Sequence, residues 1–203
     1  MAYKLQTEKK VAVISMLAEG SSIRAIERIT GVNRNTIMSL ALRIGTACKA
    51  IMDEKMRNLP CERLQADEAW SFCYAKAKNV KPEHFENGGY AGDAWTFVAI
   101  DADSKLVISW LTGRRDAGFA ADFLRDVEGR LANRVQLTTD GHKMDLHAVP
   151  SAFGNDVDYA QLVKVYGNDP EGQKRYSPAQ CLGTEKKSVI GEPDARFIST
   201  SWP

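Results

Sequence analysis

The chain has no C-x-x-C pair: its four cysteines, Cys48, Cys61, Cys73 and Cys181, are widely scattered. That excludes a zinc knuckle and a dithiol redox motif, and leaves reduced thiols in a cytoplasmic protein as the expectation. Long apolar runs are missing as well. The longest near the start, Val11 to Ala18, falls far short of the roughly 20 residues a membrane span needs. The opening MAYKLQTEKK shows neither an apolar run nor a cleavage-site pattern, so no signal peptide and no membrane partner are expected. Repeats and low-complexity tracts are absent, and 15 Gly and 7 Pro in 203 residues exclude collagen and wholesale disorder. Nor is there an excess of one charge: the net is +1, which by itself names no acidic partner.

What is present is a division of charge along the chain. Residues 1–60 carry a net of +5 and residues 61–203 a net of −4. A basic head on an acidic body points to a head that touches nucleic acid, although modest asymmetry also occurs without such a partner. The length suits one domain plus a small appendage. The boundary falls near Asn58-Leu59-Pro60, because Pro60 ends any helix that runs up to it. Residues 1–60 and 61–203 are therefore expected to form separate domains.

The head reads as three helices. Thr7 caps a first one over Glu8–Glu19, with Val11, Ile14, Leu17 and Ala18 on one face, and Gly20 stops it. Ser21 or Ser22 caps a second, Ile23 to Thr30, with Ile23, Ile26 and Ile29 inward. Gly31-Val32 forms a tight turn. Asn33 caps a third helix whose Ile37, Leu40, Ala41 and Ile44 face the core. Two helices joined by a Gly-containing turn make a helix-turn-helix, whose second member enters the DNA major groove with its first residues at base edges. Here those residues are Asn33, Arg34, Asn35 and Thr36, and Arg and Asn suit paired hydrogen bonds to guanine and adenine. Arg24 and Arg28, one turn apart, are placed to hold phosphates. A plain three-helix bundle with a solvated basic face fits the same pattern.

The body reads as a mixed sheet with helices, in the order β-β-β-α-β-α-β. Arg63–Tyr74 is strand-like; Trp95–Ile100 and Leu106–Leu111 form a hairpin around Asp101–Ser104. Asp116 caps a helix to Leu131 that buries Phe119, Phe123, Leu124 and Val127. Val135–Thr139 is a strand ending at Asp140-Gly141, and Tyr159–Tyr166 is the last. The fold class is α+β: an all-α helix-turn-helix followed by an α/β sheet in the order of the RNase-H-like folds, an analogy that fixes no function.

Alternation in the first strand places Asp67 on a small, polar face and Glu68 on the aromatic face with Trp70, Phe72 and Tyr74. A bare carboxylate at Glu68 is costly unless it lies at an edge or pairs with a base. If Val135–Thr139 runs parallel to the first strand, Asp67 and Asp140 converge. Two carboxylates held close on rigid strands are natural ligands for Mg²⁺. Spacing alone favours an exposed Asp67 and a simple Asp140-Gly141 turn, because Asp before Gly is a common turn signal.

Several segments resemble the small bacterial insertion-sequence transposases of the insertion-sequence-one group. They are Gly20–Ile26 (GSSIRAI), Leu64–Tyr74 (LQADEAWSFCY), Ala99–Asp103 (AIDAD), Leu131–His142 (LANRVQLTTDGH), Asp156–Lys164 (DVDYAQLVK), Lys174–Pro178 (KRYSP) and Ile198–Ser201 (ISTS). The resemblance implies an Asp-Asp-Glu metal triad on an RNase-H-like core, with Asp67 and Asp140 as the first two acids, catalytic and metal-binding. It implies Mg²⁺ or Mn²⁺ as cofactor, and cleavage at element ends followed by attack of the freed 3′ hydroxyl on target DNA. The partners it implies are double-stranded DNA, both element ends and target, and further copies of the chain in a homo-oligomer on that DNA. His142 neighbours the site without being counted as a ligand. The third acid of the family, a Glu just beyond the Ile198–Ser201 segment, has no counterpart before Pro203, so the expectation is a truncated transposase with impaired catalysis. Glu185, Glu192 and Asp194 are not marked by spacing as substitutes, and Pro150 is expected to shorten the helix after Asp140. Two alternatives stay open: a non-catalytic DNA-binding protein that represses or inhibits transposition, and a regulator whose second domain senses a ligand. The sensor calls for an apolar pocket; the nuclease core calls for Asp67 and Asp140 side by side.

Overall fold

The computed structural model describes residues 5–85, 89–167 and 181–200. Lys174–Pro178 and Ser201–Pro203 lie outside them. The chain divides into two compact units, Met1–Met56 and Arg57–Pro203, within a few residues of the boundary set by Pro60.

The first unit holds α1 (Thr7–Ala18), α2 (Ile23–Thr30) and α3 (Arg34–Lys55) around buried Val13, Ile26, Val32 and Ile37. The caps decide the boundaries. Ser22 Oγ accepts from the Ala25 N–H, and Asn33 Oδ1 from the Asn35 N–H, each satisfying an orphan donor at a helix start. Gly31 closes α2 at φ 67°, the left-handed conformation a side chain resists. The facing of two helices differs from the sequence reading. Val13 is buried and Val11 is exposed in α1; Ile26 is buried while Ile29 is 71% exposed in α2. A helix of two or three turns reaches a core of four side chains along a narrow line, so periodicity overstates its buried stripe. Thr7 is the first residue of α1 rather than its cap, and Gln6 in the cap position gives no side-chain bond.

The second unit is an α+β fold built on a six-stranded mixed sheet. Its strands are β1 (Arg63–Cys73), β2 (Gly92–Asp101), β3 (Val107–Gly113), β4 (Val135–Asp140), β5 (Val157–Tyr166) and β6 (Cys181–Ile190), in the spatial order β3-β2-β1-β4-β5-β6. β1–β2, β2–β3 and β5–β6 pair antiparallel; β1–β4 and β4–β5 pair parallel. The two parallel pairings need crossovers, which α4 (Ala117–Glu128) and α5 (Asp145–Phe153) supply. α4 and α5 cover one face, with Phe123, Leu124, Val127, Val149 and Phe153 packed on Leu64, Phe97, Leu137 and Tyr159. A small cluster of Ala160, Leu162 and Ile198 is separate from that core.

Element order follows the sequence reading, with β6 as an addition. α4 stops at Glu128, three residues short of Leu131, where Gly129 caps it. Asp116 caps its start by accepting from the Phe119 N–H. Pro150 lies inside α5, which runs only nine residues. Among the described residues no helix is long and apolar enough to cross a membrane.

Candidate metal centre

Parallel pairing of β1 and β4 sets Leu64 beside Leu137 and Ala66 beside Thr139. One step farther along the same register stand Asp67 and Asp140. Carboxylate oxygens of Asp67, Glu68 and Asp140 all lie within 4.8 Å of one another. Asp67 and Asp140 thus converge, as parallel pairing of their strands leads one to expect. A Cβ at Gly141 would come within 3.1 Å of the Val163 side chain on β5, a contact that Val163 would have to ease by a few tenths of an ångström.

The loop after β4 is held in place. The His142 N–H donates to Asp140 Oδ1 at 3.0 Å, its carbonyl accepts from buried Gln161 at 2.9 Å, and its Nδ1 accepts from the Met144 N–H at 3.3 Å. Asp67 Oδ1 accepts from the Glu68 N–H at 2.8 Å. Both aspartates are half-buried at the mouth of a small pocket lined by Ala66, Phe97, Phe123 and Thr139.

Two further acids belong to the site, and sequence spacing does not single out either. Glu68 meets the Arg115 guanidinium at 3.0 Å, which is the base its position on the aromatic face required. Burial raises its carboxyl above the ordinary range, and Arg115 opposes that rise. Asp145, in the first turn of α5, is buried. Burial, then the charge of Glu68, pushes its carboxyl up to about 7, against a hydrogen bond from the Thr139 side chain. Glu68, His142 and Asp145 form a second group of donors within 4.8 Å, and Glu68 is common to both groups. Tyr159 Oη and Thr139 Oγ1 share a buried hydrogen bond of 2.9 Å beneath the site.

Glu192 and Asp194 lie elsewhere. The Asp194 N–H donates to Gln136 and the Glu192 N–H to Asp158, at the end of β4 away from Asp140. Glu185 sits on exposed β6 opposite Val163.

Clustered carboxylates repel, and a hard divalent cation relieves that repulsion with oxygen ligands it prefers. The donor set fits such an ion: Asp67 and Asp140 would hold it, with Glu68 in reach and His142 alongside.

In the first unit, Arg24 and Arg28 are exposed on α2, and Asn33, Arg34, Asn35 and Thr36 are exposed at the start of α3. The Arg34 N–H donates to Glu27 Oε1 at 3.0 Å, which ties α3 to α2 while its guanidinium faces solvent. The second unit also has an open, mostly apolar cleft of about 430 Å³, lined by Cys73, Tyr90, Ala94, Thr112 and Phe119.

No family model and no curated protein matches the chain. Among solved structures it is similar to endonuclease V from Bacillus subtilis, at 12% identity and a TM-score of 0.27, over 68% of this chain and 58% of that one. The chain therefore spans little more than half the length of that structure, and a likeness this loose bears on neither fold family nor activity.

Proposed function

We propose that this chain is a DNA transposase of the insertion-sequence-one group, with a helix-turn-helix in its first unit and an RNase-H-like core in its second. The observation that carries the reading is the side-by-side placement of Asp67, in the middle of β1, and Asp140, at the end of the adjacent parallel β4, with Glu68 in reach. A central β1, antiparallel to β2 and parallel to β4, is the strand arrangement an RNase-H-like core requires.

Asp67 and Asp140 hold Mg²⁺ or Mn²⁺. When bound, the ion supplies Lewis-acid polarisation at phosphorus and a nucleophile at neutral pH. The chain contributes rigid positioning: strands fix both carboxylates, and the His142 N–H orients Asp140. Glu68 is a weak third ligand because Arg115 already neutralises it. In the first unit, Arg24 and Arg28 contact phosphates while Asn33, Arg34, Asn35 and Thr36 read bases at the element ends.

The test measures Mn²⁺ binding by paramagnetic resonance and cleavage of duplex carrying the element ends. The expected result is Mn²⁺ binding that Asp140→Asn abolishes, with any cleavage lost in Asp67→Asn. Metal binding indifferent to both substitutions would overturn the reading. A non-catalytic DNA-binding role is the second reading, favoured by the Glu68–Arg115 pair; its mark is sequence-specific binding with no cleavage above background. A ligand-sensing role draws on the apolar cleft near Tyr90, but it leaves the acid cluster without a task.

A further inference from the structure

Beyond Glu68 the outer half of β1 leaves the core. Trp70 is 42% exposed and Phe72 47%, and both share the face that carries Glu68; Tyr74, one residue past the strand at φ 61°, stacks on His84. Trp70 and Phe72 lie 5.7 Å apart between ring centroids, their planes tilted by 37°. Hydrophobic burial does not explain two large aromatics left this exposed on one face of a strand.

The strip is lined with cations. Lys76 Nζ sits 4.8 Å from the Trp70 ring centre. Trp95, directly across from Trp70 on β2, carries the Arg115 guanidinium 4.3 Å above its ring. Arg115 also holds Glu68, and its buried Nε has no hydrogen-bond partner among the described residues. At roughly 3.3 Å per strand residue, Phe72 stands about 13 Å from Glu68, so the strip begins at the metal centre and runs outward from it.

We propose that Trp70 and Phe72 form a stacking platform for unpaired nucleotides of the DNA strand that leaves the metal centre, with Lys76 and Arg115 on its phosphates. The inference rests on the function proposed above. Aromatic faces at spaced intervals flanked by positive charge suit single-stranded nucleic acid, because every base offers a π-face and every linkage a negative charge. A protein partner would be served by the rings but not by the cations beside them. An unpaired strand uses both. The platform gives the cut strand a place to lie once it separates from its complement.

The test uses the full chain and a labelled single-stranded oligothymidylate, in chelator and at low salt, with binding read by anisotropy. Trp70→Ala and Phe72→Ala are each expected to weaken binding about tenfold. Trp70→Phe is expected to retain most of it, and duplex binding and the thermal midpoint are expected to stay unchanged. Oligothymidylate affinity that ignores Trp70 and Phe72, in a chain that still binds duplex and Mn²⁺, overturns the platform alone. A Trp70→Ala variant that changes the oligomeric state but not the affinity overturns it too, and assigns the strip to self-association. A parent chain that binds neither form of DNA at low salt overturns the platform and the proposed function together.

Discussion

Glu68 and Arg115 meet at 3.0 Å with the carboxylate side chain only 6% exposed and the guanidinium 30% exposed. The pair joins the strand that carries the acid cluster to the loop that leads into α4. It holds a charge in the core face that would otherwise be excluded from it. It also takes Glu68 partly out of the competition for a cation.

Removing Arg115 therefore separates two effects. Arg115→Met is expected to destabilise the metal-free protein by roughly 2–3 kcal/mol, less than the 3–5 of a fully buried pair because Arg115 is partly exposed. The same change returns Glu68 to the acid cluster, so added Mn²⁺ is expected to raise the melting temperature more in Arg115→Met than in the parent. Thermal melts with chelator and with Mn²⁺ check both; an equal metal response in the two proteins would rule out Glu68 as a ligand.

Asp145 gives a stability change with pH. Its carboxyl is raised to about 7, so the folded protein keeps its proton where the unfolded chain has lost it. The associated stability is fully present below about pH 4, the ordinary carboxyl range, and is lost as pH rises to about 7. In chelator, the parent is expected to lose roughly 2–4 kcal/mol over that window relative to Asp145→Asn. Denaturant melts at pH 4 and pH 8 measure the difference, and parallel curves would show that Asp145 titrates normally.

At the start of α3, Arg34→Ala is expected to cost roughly 1–3 kcal/mol of binding at a preferred duplex site and little elsewhere. Arg24→Ala and Arg28→Ala are expected to weaken all sequences alike and to reduce the salt dependence. Competition titrations at two salt concentrations distinguish the cases; uniform loss for Arg34→Ala would move it among the phosphate contacts.

In the head, Ile26→Ala is expected to cost about 2–5 kcal/mol and to unfold so small a unit, whereas Ile29→Ala is expected to be nearly neutral. Helical circular dichroism through a thermal melt reads the contrast, and comparable losses would mean that both face the core.

These two isoleucines also show where sequence stops being informative. Ser22, Gly31 and Asn33 carry their own local chemistry, so the ends of α2 and the start of α3 are legible. Which of Ile26 and Ile29 meets the core depends on helices elsewhere in the chain. Alternation alone does not bring Asp67 and Asp140 together: Gln65 and Thr138 on one face are as buried as Ala66 and Thr139 on the other, and parallel pairing of β1 with β4 sets the two acids side by side. β6 is hard to read: Leu182, Glu185, Lys186 and Lys187 are all exposed, only Val189 and Ile190 at its end pack on the core, and pairing with β5 makes the rest a strand. The partner of Glu68 arrives 47 residues later from a loop, and no spacing rule connects the two. Asp145 reads as an ordinary acid in the first turn of a helix, and its burial comes from packing that only the assembled sheet provides.

β1 lies at the middle of the sheet but is made before its other strands. During synthesis, β1, β2 and β3 can close into a meander as soon as Gly113 has emerged, whereas β4 begins only at Val135. Until then Arg63–Ala66, the stretch of β1 that β4 pairs with, lacks a neighbour on one side, and its backbone groups are open to a strand from any nascent chain nearby. The half-made protein is thus the species most prone to aggregate, and a translational pause between Gly113 and Val135 would prolong its exposure. Asp67 spends that interval without Asp140, so the metal centre comes into being only when β4 docks on Arg63–Ala66.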